Sequence, residues 1–214
     1  MAWWRRTAVP ASTRWVVVDV ETTGLDARRD RLLAIAAVAV HIEAGRAAIA
    51  LGDSFEVVLQ HRAAGAEPDK ANILLHGIGV GAQRAGVEPR QALQAFERYV
   101  AAAPVLGFHV AFDRAVIERH AQAVGLVSPA ALWLDIEPLA GVLRPEIKAR
   151  SLDEWMAALG ITCAVRHQAA ADTLATAELL LKLWPRLAAE SSAAARGDAR
   201  AALKLADSRR WLPA

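Results

Sequence analysis

A mixed α/β fold is predicted, with a five-stranded central sheet whose first three strands are antiparallel and whose faces are covered by helices. Three features of the sequence predict it. The first third carries three long apolar runs separated only by short turns, which favours antiparallel neighbours over crossovers. From Pro89 onward, segments with helical spacing alternate with short apolar runs, the pattern of strands joined by helices. No repeat or linker divides the 214 residues, a length suited to one core.

The first strand opens at Trp15-Val16-Val17-Val18, runs into Asp19-Val20-Glu21 and ends in Thr22-Thr23-Gly24-Leu25. Four consecutive apolar residues suit a strand buried on both faces. Asp26 to Asp30 is a charged turn, Arg31 to Ile42 a second strand, and Arg46 to Gln60 a third with a kink near Gly52-Asp53. Residues 61–68 read as a polar loop, after which Asp69 is placed to cap a short helix towards His76, ended by Gly77 and Gly79. Ala92, Leu93, Phe96, Tyr99 and Val100 give Pro89 to Ala103 a helical stripe that Pro104 stops. Val105 to Phe108 is a short strand, Val110 to Val124 a helix closed by Gly125, and Leu132 to Ile136 another strand. A helix around Pro138 to Leu143 and a basic loop from Arg144 to Arg150 follow. Ser151 and Glu154 then form a capping box for a helix to Leu159. The longest helix spans Gln168 to about Leu187. The expected organisation is a leader at 1–14, one catalytic domain at 15–187 and an Ala-rich helical tail at 188–214.

Composition narrows the class. The chain is 55% hydrophobic and 6% aromatic, so its apolar mass is chiefly Ala, Val and Leu, as in a folded protein. A formal charge of +2 neither demands nor excludes a nucleic-acid partner, so any attraction must be local. The single cysteine, Cys163, excludes an internal disulfide and a cysteine zinc site and points to a reducing cytoplasm. No apolar run approaches the roughly 20 residues that span a bilayer, and no membrane partner is expected. Trp3-Trp4-Arg5-Arg6 lacks the apolar stretch of a secretory signal.

The chemistry gathers at acids. Side chains alternate along a strand, so Asp19 and Glu21 share a face. Two carboxylates beside each other at the end of a buried strand repel, and a hard cation such as Mg²⁺ or Mn²⁺ relieves them. Asp113 stands in the first turn of a helix, where capping alone would explain it. Asp172 lies at an Ala-rich helix entrance that must pack closely on the sheet, so its carboxylate needs a partner. His167, five residues earlier, lies just outside that helix and is free to swing over the site. Four carboxylates fit two divalent cations about 4 Å apart that clamp the attacking and leaving oxygens of a phosphoryl transfer. A histidine near neutral pKa can take the proton of the attacking water. The chain has no Gly-x-x-x-x-Gly-Lys loop, no Gly-x-Ser-x-Gly elbow and no Cys/His zinc spacing.

These segments resemble a known family. Val18-Asp19-Val20-Glu21-Thr22-Thr23-Gly24-Leu25, His109-Val110-Ala111-Phe112-Asp113 and His167 with Asp172 are similar to the three motifs of the DEDDh, or DnaQ-like, 3′→5′ exonucleases. That family includes the epsilon proofreading subunit of bacterial DNA polymerase III. The resemblance covers about residues 14–184 and implies a ribonuclease H-like fold. It implies that Asp19, Glu21 and Asp172 hold one cation, that Asp19 reaches the second, and that Asp113 completes the site through a water. His167 is then the general base. Thr22 and Thr23 meet the 3′-terminal nucleotide, while Leu25 and Phe112 offer apolar surfaces to its base. His109 stands where the family commonly has Asn, so a substrate or backbone contact is altered there. Asp135-Ile136 replaces the usual Asp-Thr, which makes Asp135 structural. His76 either contacts substrate or ends its helix, and the helix end is preferred. The Arg144, Lys148 and Arg150 loop reads as solvated.

The expected activity is a two-metal 3′→5′ exonuclease on single-stranded or frayed DNA that releases nucleoside 5′-monophosphates. Two alternatives stand beside it: an exoribonuclease of the same family, and a non-catalytic module in a DNA polymerase complex. The metal ligands do not sense a 2′-hydroxyl, so RNA 3′ ends stay open as substrate.

Overall fold

The computed structural model describes residues 13–61, 70–127 and 131–208. The leader up to residue 12, most of the 61–68 loop, the Asp69 cap and the last six residues lie outside these.

Three long strands come first: β1 (Arg14–Thr22), β2 (Leu32–Glu43) and β3 (Arg46–Val58). β1 pairs antiparallel with β2, with Asp19 opposite Ala36 and Glu21 opposite Ala34, and β2 pairs antiparallel with β3. The kink expected near Gly52-Asp53 is a register shift between Val38 and Ala39, across which residues 51–53 are looped out of the ladder. Two short strands, β4 (Val105–Gly107) and β5 (Trp133–Asp135), add in parallel to give the order β3-β2-β1-β4-β5. The five-stranded mixed sheet with three antiparallel leading strands is as expected.

Helices α1 (Lys70–His76), α2 (Val80–Ala85) and α3 (Pro89–Val100) link β3 to β4. Helix α2 was not expected. It is only 6 residues long, and its glycine at position 81 masks any helical period. Helix α3 ends three residues before the anticipated stop because Ala101 adopts φ 49°, a left-handed exit whose N–H still bonds Glu97 O. Helix α4 (Ala111–Ala123) leads to β5, and α5 (Ile136–Leu143) starts two residues before Pro138, capped by the Asp135 carboxylate. Helix α6 (Leu152–Leu159) has the Ser151/Glu154 capping box and a left-handed Gly160 at its exit. Helix α7 (Ala169–Glu190), the longest at 22 residues, runs three residues past Leu187. Two more helices follow, α8 (Ser192–Ala195) and α9 (Ala199–Asp207).

The sheet is covered on both faces, which is why β1 is apolar at consecutive positions. Trp15 and Val17 join α5, α6, α7 and α9 in one core, and Val16, Val18 and Val20 join α3 and α4 in the other. Alanines let α7 lie close to the sheet, and Thr173 donates its hydroxyl to Ala36 O at 3.2 Å. Trp15 and Trp184 meet edge to face at 5.4 Å, anchored by N–H bonds to Gly197 O and Gly45 O. Among the described residues no helix is long and apolar enough to cross a membrane.

Candidate active site

Alternation along β1 puts Asp19 and Glu21 on the face of Trp15 and Val17, beneath the start of α7. The Glu21 carboxylate accepts a hydrogen bond from the N–H of Ala169, the first residue of α7. Asp113 reaches the same place from the opposite layer, for a reason that lies in the ladder. Val16 N–H points towards the β4 side, bonding Pro104 O at 2.9 Å, so Val20 N–H two pairs later points the same way. β4 pairs with β1 only at Val16 and Val17, and by Val20 there is no strand left to accept. The Asp113 carboxylate, carried in by the first turn of α4, accepts from Val20 instead. A strand that stops early thus makes room for an acid.

The four carboxylates repel one another in a poorly solvated place. Desolvation raises Asp19 well above the usual carboxylate range, and Asp113, Glu21 and Asp172 push it further. Desolvation also lifts Glu21 to about 8, with Asp172 and Asp113 adding to the shift. Asp113 rises to about 7, chiefly through desolvation and against the pull of its own and the Val20 N–H groups. Such a set favours either protons or a cation.

The partner that Asp172 requires is Arg166, which the sequence analysis did not single out. Asp172 is only 6% exposed, and its Oδ1 accepts from Arg166 Nη1 while Oδ2 accepts from the backbone N–H of His167 at 3.1 Å. The Cys163 thiol approaches Oδ1 at 3.7 Å. Arg166 Nε also bonds Asp153 Oδ1 on α6 at 2.5 Å. The legible signal was a lone arginine next to the histidine and six residues before a buried acid. His167 itself is exposed, as expected, but its backbone is fixed at φ 62° by the bond to Asp172. Its ring is exposed while its main chain is held.

The 23–31 turn is built around Asp30, which the sequence reads only as part of a charged turn. Its Oδ1 accepts from Thr23 Oγ1 at 3.0 Å and its Oδ2 from Asp26 N at 2.7 Å. A Cβ at Gly24 would stand 2.6 Å from the same carboxylate, so a larger residue there would have to push Asp30 aside. Arg119 on α4 donates to Ala27 O and Asp30 O, and His120 Nε2 accepts from Leu32 N at 3.1 Å. The hydroxyls expected to face a nucleotide therefore donate inward, Thr22 to Gly24 O at 2.5 Å and Thr23 to Asp30. Leu25 at the tip is 93% exposed, with no core role. Phe112 is half-buried against the second core.

His76 ends α1, is 4% exposed, and accepts from Ile78 N through Nδ1 at 2.9 Å. Asn72, on the same helix, donates to Thr22 O at 2.9 Å and ties α1 to the end of β1. His109 is exposed at φ 55°, donates its N–H to Asp135 Oδ1 at 3.0 Å and lies 4.6 Å from the Phe108 ring. Asp135 thus joins β4 to α5 as a structural acid.

Hard oxygen donors at partly to fully buried positions suit Mg²⁺ or Mn²⁺ better than softer ions. Among the described residues, however, no three acid, imidazole or thiol side chains are drawn close enough to hold one ion together. The acids share a field, and Arg166 supplies a direct counter-charge to it at Asp172.

Strand-borne and helix-borne acids at the end of β1, with an exposed histidine beside them, define a nuclease domain on a ribonuclease H-like sheet. A family model described as Exonuclease, of the RNase T type, matches residues 16–180, and the chain belongs to that exonuclease family. It is 31% identical over 174 residues to the Bacillus cereus DNA polymerase III PolC-type, covering 81% of this chain and 11% of that protein. It is 30% identical over 178 residues to a DNA polymerase III subunit epsilon-like protein of Rhodobacter capsulatus, covering 82% of this chain and 24% of that one. The chain thus spans a small part of the length of these relatives. Among solved structures, E. coli exonuclease I in complex with a dT13 oligonucleotide has the same fold, at TM-score 0.67 and 21% identity, over 84% of this chain and 43% of that one. The zinc ion bound form of the E. coli exonuclease I–single-stranded DNA complex is similar at TM-score 0.66 and 21% identity, over 80% and 40%.

Proposed function

We propose that the chain is a 3′→5′ exonuclease that removes nucleoside 5′-monophosphates from single-stranded or frayed DNA with two divalent cations, Mg²⁺ or Mn²⁺. The observation that carries this is the mutual electrostatic coupling of Asp19, Glu21, Asp113 and Asp172 with His167 on the adjoining turn. When bound, the cations would supply stabilisation of the charge that develops on the terminal phosphodiester. Asp19, Glu21 and Asp172 would hold one of them, Asp19 would extend to the second, and Asp113 would complete the set. The His167 ring, exposed and next to Asp172, takes the proton of the attacking water. Leu25 presents an apolar tip to the terminal base, with Phe112, Thr22, Thr23 and His109 around it. His76 contributes as a helix end and not as a contact.

The polymerase III names of the relatives and the single-stranded DNA in the exonuclease I complexes support a DNA 3′ end as substrate and a polymerase complex as a partner. The decisive experiment is a side-by-side digest of matched single-stranded DNA, duplex DNA and RNA, each labelled at the 5′ end, with Mg²⁺ or Mn²⁺. A ladder shortening from the 3′ end of single-stranded DNA is expected. Faster loss of RNA would transfer the substrate to RNA. No cleavage of any strand, together with co-purification with a polymerase, would replace the enzyme with a binding module.

A further inference from the structure

We propose that Arg166 is a resident counter-ion of the acid cluster: in the metal-free protein it neutralises Asp172, and it retires onto Asp153 when a divalent cation enters. The inference rests on the cation-site reading above and adds a residue that the reading does not need.

Arg166 is held at two points. Nη1 donates to Asp172 Oδ1, at the buried first turn of α7, and Nε donates to Asp153 Oδ1 at 2.5 Å on α6. The two acids differ in kind. Asp172's side chain is 9% exposed and Asp153's 60%, so Asp172 depends on a counter-charge and Asp153 is solvated without one. The same Asp172 Oδ1 would have to turn to a metal. The guanidinium takes up a lone pair of that oxygen and sets a positive charge against it, so it competes with a cation for Asp172. A cation therefore displaces Nη1, while Nε and Nη2, the latter 3.3 Å from Asp153 Oδ2, keep the guanidinium on Asp153 as a fork. Little else has to move. His167 N–H stays on Asp172 Oδ2, so the turn carrying the histidine keeps its place.

Displacement predicts opposite signs for the two partners, which a merely structural arginine does not. Removing the competitor in Arg166→Gln should tighten Mn²⁺ binding roughly tenfold, the loss of one charge-assisted bond expressed as an affinity. It should also lower the metal-free melting temperature, so that the Mn²⁺-induced rise in melting temperature grows. Removing the parking place in Asp153→Asn should weaken Mn²⁺ binding several-fold. Arg166→Lys keeps the charge but loses the two-pronged reach and should still bind more tightly than the parent.

The test is isothermal titration calorimetry of the chelator-treated full chain with Mn²⁺ alone, paired with melting curves with and without Mn²⁺. Tighter binding in Arg166→Gln and weaker binding in Asp153→Asn support the displacement. If the parent binds Mn²⁺ and Arg166→Gln binds it equally or more weakly, the displacement is wrong and the cation site survives. Lysine behaving as the parent does would reduce Arg166 to a generic charge and overturn the proposal. If neither parent nor Arg166→Gln binds Mn²⁺, both this proposal and the cation site fall. Should Arg166→Gln not fold, Arg166→Lys and Asp153→Asn still decide the matter by their opposite shifts.

Discussion

Asp19 sits where three other carboxylates act on it. Asp19→Ala should abolish detectable turnover on a labelled oligonucleotide, because it removes the group assigned to both cations. His167→Ala should lower kcat by roughly 10²–10⁴-fold with KM and Mn²⁺ affinity nearly unchanged, since its ring is exposed and the proposed role is the transfer of a proton. Equal kcat for that variant and the parent would remove the general-base role. The pH dependence of stability follows from Glu21 at about 8 and Asp113 at about 7. In an unfolded chain both lie near 4. Between those values the folded state holds more protons than the unfolded one, so metal-free stability should fall as pH rises from about 4 through about 8. A divalent cation favours the charged carboxylates, so the rise in melting temperature on adding Mg²⁺ should be larger at pH 8 than at pH 5. Calorimetric melts at the two pH values, with chelator and with Mg²⁺, check both the slope and its reversal; a flat profile would contradict the coupling of the acids.

The elements differ in how openly the sequence declares them. β1 was legible because two-sided burial writes consecutive apolar residues, and the face shared by Asp19 and Glu21 follows from strand alternation alone. The Ser151/Glu154 capping box was legible because both halves of the motif are local. What was not legible depends on partners distant in sequence. The 23–31 turn has few residues that announce a conformation, yet Asp30 within it and Arg119 on α4 fix it. Arg166 is separated by 13 residues from Asp153, and only the packing of α6 beside α7 brings them together. Helix α2 is not legible in the sequence because a 6-residue helix offers too few turns for a period. Asp30→Ala removes two bonds to partly exposed groups, at about 1 kcal/mol each, and should lower the melting temperature by roughly 4–8 °C. Because that turn carries Leu25 and follows Thr22 and Thr23, the variant should raise KM for oligonucleotide several-fold while kcat changes little. A loss confined to kcat would separate the turn from substrate binding.

At the scale of the molecule, α8 and α9 close the core on the face of the sheet that carries the acids. Ala199, Ala202 and Ala206, spaced at three and four residues along α9, are buried with Ala194 of α8 beneath α5 and the end of β5. The turn between α8 and α9 presents Gly197 O to the indole N–H of Trp15, at 3.1 Å, in the strand that also bears Asp19 and Glu21. Sequence alone assigned residues 188–214 to a tail; the packing makes their contribution measurable. Truncation after Ser191 would leave the fully buried Trp15 indole without its acceptor, an expense of about 1–3 kcal/mol, and would uncover the alanine-lined floor beneath α9. The truncated chain should melt at least roughly 10 °C lower, and its Mn²⁺ affinity should fall with its stability, because β1 loses support four residues from Asp19. Trp15→Phe keeps the ring and the two helices but deletes the N–H, so it should cost only a small part of that loss. Equal melting temperatures for the truncated and full chains would show that the sheet and α7 hold β1 unaided, and the acids with it.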